Sequence, residues 1–456
     1  MRNRSIHCKG GRMTLWRRAL QPRKLITLLF VVSAMPLSAA PVPFRKMIEL
    51  AVQHSGTMAI AGADQRKAYE TYAEARSMYT PQVAVGSGLG FSYGVPLSIE
   101  GSAPSVFNVT SQQILFNMAQ KDYIRASRND WNSAKFDIAD KRNQVILDTA
   151  SAYIELDSFT QRLNALQEEQ KSAERSEFIS KSRLQEGVDS PLDLKRAQLL
   201  GARVRLRVAE SMGAVDVLRE RLSALTGLPA ASIETDHESI PKPPEISQDE
   251  NLLNAVSNNP VVRFAEEKAK SAELRARAEQ RQWYPSADLA GQYAMLSRFN
   301  NYDEFYRKYS RHNFSYGLNV RFPFLNIPQR HRTEQAQADL VKARKEAEAA
   351  KAQVNENTIK LQRSLRQLAA ANDVARLEYE VAQAGVDTTQ VRVQNGQANS
   401  RDAEQARVDA GDRFVSYLES TVELTKAQLQ LMRSTGYIQQ WALGSDSTTA
   451  VEAEKQ

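Results

Sequence analysis

Two stretches of this 456-residue chain run for the length of a very long helix without a single Gly or Pro, Asn117 to Glu186 and Gln329 to Ala384. In the second, Leu340, Ala343, Ala347, Ala350, Val354, Leu361, Leu365 and Leu368 keep 3-4 spacing, which sets an apolar seam of coiled-coil type. Helices of about 65–70 residues at 1.5 Å per residue reach ~100 Å, far beyond the roughly eleven or twelve residues usual in compact domains. The seam is Ala-rich, so neighbouring helices can approach closely. Each long helix is expected to break at a short turn, Glu186-Gly187-Val188-Asp189-Ser190-Pro191 or Asn395-Gly396-Gln397-Ala398-Asn399-Ser400. A return helix follows, to about Thr226 and Gly436. Ser190 and Asn399 offer N-cap oxygens, and Pro191 suits a first helical turn.

Upstream of each long helix the period changes. Pro81 and Pro285 end helices expected over about 43–78 and 250–283. Strand-like runs follow, Gln82–Tyr93 and Ser105–Phe116 in the first case, Ser286–Met295 and Asn313–Phe324 in the second. Val83, Val85, Leu89, Phe91 and Tyr93 alternate with Gly86, Gly88, Gly90 and Gly94, a period of two with glycine on the face where backbone packs closely.

The two halves are copies. Ala51-Val52 aligns with Ala255-Val256, and Tyr79-Thr80-Pro81 with Trp283-Tyr284-Pro285, at an offset of 204 residues. Further on the offset is 209, where Leu115-Phe116-Asn117 meets Phe324-Leu325-Asn326, Gly187 meets Gly396, Asp193 meets Asp402 and Thr226-Gly227 meets Thr435-Gly436. One loop five residues longer accounts for the step. The chain therefore divides into repeats over 41–227 and 251–442, a linker over 228–250 with Pro229, Pro241, Pro243 and Pro244, and a small-polar tail over 443–456 expected to be disordered.

The N-terminus changes how composition reads. Arg17, Arg18, Arg23 and Lys24 precede an apolar stretch from Leu25 to Met35 and small residues at Ser38, Ala39 and Ala40, the layout of a secretory signal over 1–40. Eight of the 60 Lys/Arg fall there and no Asp/Glu, leaving 52 basic against 53 acidic residues. A nucleic-acid reading loses its footing with that balance. Cys8, the one cysteine, leaves with the signal, which removes disulfides, thiolate metal sites and lipid attachment at a new N-terminal Cys from consideration. His54, His237, His312 and His331 are unclustered, no phosphate-binding or nucleophile motif occurs, and no catalytic, cofactor or metal site is expected.

No later stretch approaches the ~18 apolar residues of a membrane helix, but alternating β-strands leave hydropathy low. Four short strands have exposed edges, and in lipid the way to satisfy strand backbone is a closed barrel. Aromatics near strand ends (Phe91, Tyr93, Tyr293, Phe305, Tyr306, Tyr309, Phe314, Tyr316) fit interface girdles. A periplasmic coiled-coil stalk without channel activity is the alternative, but it has no need of duplicated hairpins.

The leader, duplication, paired hairpins and Gly-centred turns, above all Leu184-Gln185-Glu186-Gly187 through Asp193 and Val393-Gln394-Asn395-Gly396 through Asp402, resemble the TolC-type outer-membrane efflux protein family over about 43–442. The resemblance implies a mostly α homotrimer with a 12-stranded transmembrane β-barrel, four strands per chain, continued by a periplasmic coiled-coil barrel. It implies an outer-membrane exit duct for efflux or type I secretion, with a periplasmic adaptor and an inner-membrane RND or ABC transporter as partners. Carried over, Gly187, Val188, Asp189, Ser190, Gly396, Gln397, Ala398 and Asn399 are the periplasmic tip that meets the adaptor. Asp402, with Asp193 its repeat equivalent, is a candidate for a lumen-facing acidic ring, with an ordinary first-turn carboxylate as the other reading. Gln405 stands where some members place a second Asp.

Overall fold

The computed structural model describes residues 41–87, 105–243, 257–296 and 312–444. The expected signal, the strand residues from Gly88 to Tyr93, Pro244, the aromatics Phe305, Tyr306 and Tyr309, and the expected tail beyond Gly444 lie outside them, whereas Leu443, assigned to that tail, ends a helix.

The described elements come in matched pairs. α2 (Gly56–Ser77) and α5 (Pro260–Arg281) have 22 residues each. α3 (Met118–Gln185) and α6 (Ile327–Gln394) have 68 each, and α4 (Pro191–Thr226) and α7 (Ser400–Thr435) have 36 each. Between them lie β1 (Gln82–Gly86), β2 (Ser105–Phe116), β3 (Ser286–Leu296) and β4 (His312–Arg321). α1 (Phe44–His54) precedes α2, and α8 (Ile438–Leu443) closes the described chain. The boundaries repeat at the sequence offsets, so the same local signals act twice. Asn117 and Asn326 each cap a long helix by accepting an amide three residues on, at 3.0 and 3.2 Å. Gly227 and Gly436 end the return helices at φ 75 and 82, a conformation an L side chain adopts only with strain. α6 runs through Gly385 unbroken, and the Leu340–Leu368 stripe is its less exposed face.

Three expectations change. The first helix is not continuous from 43 to 78 but breaks at Ser55, whose ψ of 129 is extended. The reason is a division of labour: α1 buries Phe44, Met47, Ile48 and Ala51, whereas α2 buries only Ala61 and runs along α3. The equivalent position, Asn259, is likewise a helix start, capping Val261 at 2.9 Å. The fourth strand stops at Arg321 rather than Phe324, since Pro323 cannot donate to a ladder. The linker, finally, is anchored: Val42 pairs with Thr235, Ile233 is fully buried, and two single-turn 3-10 helices stiffen it.

That anchoring belongs to the main apolar core, where α1, α3, α4, α7, α8 and the linker meet through Phe44, Ile48, Tyr153, Leu222, Leu429 and Ile438. Tyr153 is its polar centre. Its hydroxyl donates to the Val42 carbonyl at 2.8 Å and accepts the Asp236 amide at 2.7 Å. Tyr153→Phe leaves both backbone groups without that partner. It is expected to cost about 1–3 kcal/mol, read as a lower midpoint in denaturant unfolding of the detergent-extracted protein. An unchanged midpoint would show that water replaces the hydroxyl.

Candidate functional site

The four strands form one antiparallel sheet in sequence order, and the central pairing, β2 with β3, joins the two repeats. Register puts Val109 opposite Tyr293, and Tyr293 opposite Phe314. With side chains alternating along each strand, Val83 and Val85, Phe107 and Val109, Leu289 and Tyr293, and Phe314, Tyr316, Leu318 and Val320 share one face. Gln82, Asn108, Thr110, Gln112, Asp288, Gln292, Asn313, Ser315 and Asn319 share the other. The apolar face is not covered: Phe314 is 69 % exposed and Tyr316 78 %. Phe107 packs its ring 6.4 Å from Tyr293, whose hydroxyl bonds His312 at 2.7 Å. β1 and β4 each have one edge without a partner strand among the described residues. Gly86 faces Asn108 so closely that a Cβ there would stand 2.5 Å from its side-chain oxygen, the close approach expected of that glycine face.

The helical hairpins end at the two turns. Gly187 and Gly396 adopt φ 76 and 73. Around each, the amide of the next residue returns to the last helical turn, Val188 to the Arg183 carbonyl at 2.9 Å and Gln397 to that of Arg392 at 2.8 Å. Gly187, Val188, Ser190, Gly396, Gln397 and Asn399 are exposed, with Asp189 and Ala398 half-buried. The turns differ in stiffness. Arg183 donates to Asp189 at 3.0 Å across the first, which also has Pro191 at its exit, whereas the second carries Ala398 in place of Asp189.

Both candidate aspartates sit in the first turn of a return helix. Asp193 accepts the Ser190 amide at 3.3 Å and its hydroxyl at 2.7 Å, and Asp402 accepts the Asn399 amide at 3.1 Å. Each thus caps its helix, and the other Asp193 oxygen faces Arg196 at 3.8 Å. Gln405 lies one turn on from Asp402 and donates to Asp409 at 3.0 Å, so Asp402, Gln405 and Asp409 share a face. Asp409 was not singled out by sequence. The i, i+7 spacing of two acids was the available signal.

Above the tips, α3 and α7 flank a groove lined by Glu168, Glu169 and Ser172 on one side and by Glu404, Val408 and Gly411 on the other. Arg207 of α4 closes it, donating to Glu169 at 2.6 Å and pairing with Asp412. Burial pushes the Glu169 carboxyl up, Asp412 adds to this, and Arg207 opposes it. Sequence had no signal for this cluster, because its members stand some 40 to 240 residues apart.

Comparison with known proteins follows the same division into halves. The family model described as "Outer membrane efflux protein" matches residues 47–228 and 252–437. Protein CyaE of Bordetella pertussis is 26 % identical over 303 residues, 64 % of this chain and 62 % of that relative, so the match spans less than two thirds of its length. Among solved structures, the outer membrane protein VceC of Vibrio cholerae superposes with a TM-score of 0.69 at 16 % identity, covering 86 % of this chain and 96 % of that one. The CmeC outer membrane channel of Campylobacter jejuni gives 0.71 at 15 % identity, covering 91 % and 89 %.

The groove makes a prediction of defined sign. The folded protein holds the Glu169 proton more tightly than the unfolded chain does, so stability rises as pH falls through the region just above the ordinary carboxylate value. Glu169→Gln should flatten that rise without lowering stability at neutral pH. Arg207→Ala, which leaves two carboxylates facing each other, should cost ~2 kcal/mol. Thermal unfolding of the three proteins at several pH values is the check, and equal slopes for wild type and Glu169→Gln would contradict it.

Proposed function

Because this chain belongs to the outer membrane efflux protein family, we propose that three copies of it form an outer-membrane exit duct of an efflux or type I secretion system, docking a periplasmic adaptor at the tips. The observation that carries this reading is the sheet. Among the described residues it has two edges without a partner strand, one exposed apolar face and one polar face, and no described helix is long and apolar enough to cross a membrane. Four strands are too few to enclose a lumen. Twelve from three chains close a barrel whose apolar face meets lipid and whose polar face lines water, which satisfies the backbone without any edge. The long helices, running away from the sheet, continue that wall into the periplasm. Relatives of similar fold are described as outer-membrane channels, which fits an outer-membrane location.

The two exposed tips are the adaptor-facing ends, with an inner-membrane RND or ABC transporter behind the adaptor. Gly396 matters most there, since its φ of 73 lies where proline cannot go. Light scattering on detergent-extracted protein should give a trimer, recovered with the outer membrane. Gly396→Pro should keep that trimer and abolish transport. A monomer in detergent sinks the duct, and undiminished transport by Gly396→Pro sinks the tip assignment.

The Asp402 face supplies the constriction in this reading. Three carboxylates brought together at the tip would repel by ~1 kcal/mol or more per pair and would bind cations to offset it. Divalent cations added from the tip side should block reconstituted channels, and Asp402→Ala should relieve most of the block. Recordings at low ionic strength with identical block in both proteins would leave Asp402 as a helix cap only.

A further inference from the structure

The first two turns of α3, just past the sheet, carry more positive charge than their surroundings neutralise. Met118, Lys121, Arg125 and Arg128 follow at spacings of three, four and three, so they share one helix face, and all are exposed. Arg125 is 64 % exposed and lies 3.5 Å from Asp122, which is fully buried and already holds Arg281 at 2.7 Å. Among the described residues, neither Lys121 nor Arg128 pairs with a carboxylate.

Packing leaves this face only the two broad sides of the helical wall. On one flank of α3, Gln120 donates to the Ala75 carbonyl of α2 at 2.8 Å. On the other, Ser271 of α5 donates to the Ala126 carbonyl at 3.0 Å. With both flanks taken inside one chain, another copy cannot pack beside it. Phe116 then selects the side. It stands opposite Ala287, two residues from Leu289, so its ring belongs to the apolar side of the sheet. The Lys121 ammonium lies over that ring, 5.6 Å from its centre. The basic face therefore continues the apolar face of the sheet.

We propose that Lys121, Arg125 and Arg128 bind the headgroup of an anionic phospholipid, of the phosphatidylglycerol type, on the outer wall of the duct at the periplasmic leaflet. The site rests on the duct reading and adds a ligand to it.

Depth agrees with this. β2 has 12 residues, which at about 3.3 Å each and a tilt of about 40° cover ~30 Å, the thickness of a bilayer core. Phe116 and Met118 then end the apolar layer, and Lys121 and Arg125 follow within ~10 Å, at headgroup level. Side chains on a helix lean toward its N-terminus. Here that end faces the membrane, so all three cations reach toward the lipid. The Arg forks suit the phosphodiester oxygens and Lys121 adds a point charge, while the acyl chains run up past Met118 and Phe116. A zwitterionic headgroup would bring its own ammonium against these cations.

The internal repeat shows the same order. Shifted by 209 residues, Phe116, Met118 and Lys121 fall on Leu325, Ile327 and Arg330, all exposed, Leu325 by 81 %. The four helical segments next to the sheet, 66–77, 117–128, 270–281 and 326–337, hold 12 Lys/Arg against 6 Asp/Glu. The chain after its leader is balanced at 52 to 53, so the excess is local to this level.

The test is native mass spectrometry of the full-length trimer in mild detergent, titrated with phosphatidylglycerol or with phosphatidylethanolamine of the same acyl chains. One cation near an anionic lipid surface is worth about fivefold, so wild type should prefer phosphatidylglycerol by about tenfold or more. Lys121→Gln/Arg125→Gln/Arg128→Gln should reduce that preference to less than about twofold, with Arg125→Gln/Arg128→Gln in between. Lys171→Gln/Arg175→Gln/Lys181→Gln removes the same charge far down α3 and should keep the wild-type preference. Loss of preference there too would reduce the effect to net charge and overturn the site. Retention of lipid A over phosphatidylglycerol would assign the face to the opposite leaflet and overturn it as well. A wild-type trimer that binds both phospholipids equally overturns the site and leaves the duct standing. A protein that stays monomeric overturns the duct, whichever lipid it prefers.

Discussion

A strand edge in lipid must find a hydrogen-bonding partner, because no water is there to take its place. In the proposed lipid setting one chain does not meet that demand: among the described residues its sheet joins β1 to β4 through β2 and β3 and pairs neither outer edge. The duplication is the structural answer to this constraint. The contact that joins repeat one to repeat two, β2 on β3, is of the same kind as the contact one chain needs with another.

The helices obey the same economy. α3 and α7 meet across the repeats, while α4 and α6 carry exposed stripes that no described residue covers. Apolar surface on the order of hundreds of Å² does not stay in water on a monomer without consequence. Charged groups mark the joints: Arg162 with Glu419, Lys426 with Glu155 and Arg433 with Asp140 all cross from the first repeat to the second. At Glu169, half-buried beside Arg207, burial pushes the carboxyl up.

The tips are built for a different task. Both are Gly-centred turns whose backbone returns to the helix end, and both return helices begin with a carboxylate capping the turn. The Arg183–Asp189 pair and Pro191 fasten the first turn, and the second has neither. Among the described contacts, the second turn is thus the less fastened of the two.

Much of this is legible in the order of residues alone. Absence of Gly and Pro over 70 residues in one segment and 56 in the other favours long helices, since nothing in those segments stops one. Positive-φ turns at Gly187 and Gly396, the caps at Ser190 and Asn117, and the strands after Pro81 and Pro285 are local, and local chemistry decides them. The break at Ser55 is not legible, because helix propensity on either side is good and only the core around Phe44 and Tyr153 demands that α1 turn inward. Nor is the end of β4 at Arg321, although Pro323 is in view. The Arg207–Glu169–Asp412 cluster and the anchoring of the linker at Ile233 need the tertiary fold, because they join residues far apart in sequence. The exposed stripes on α4 and α6 lie between these limits: their spacing is written in the sequence, but which face the chain itself covers is decided only when the hairpins pack.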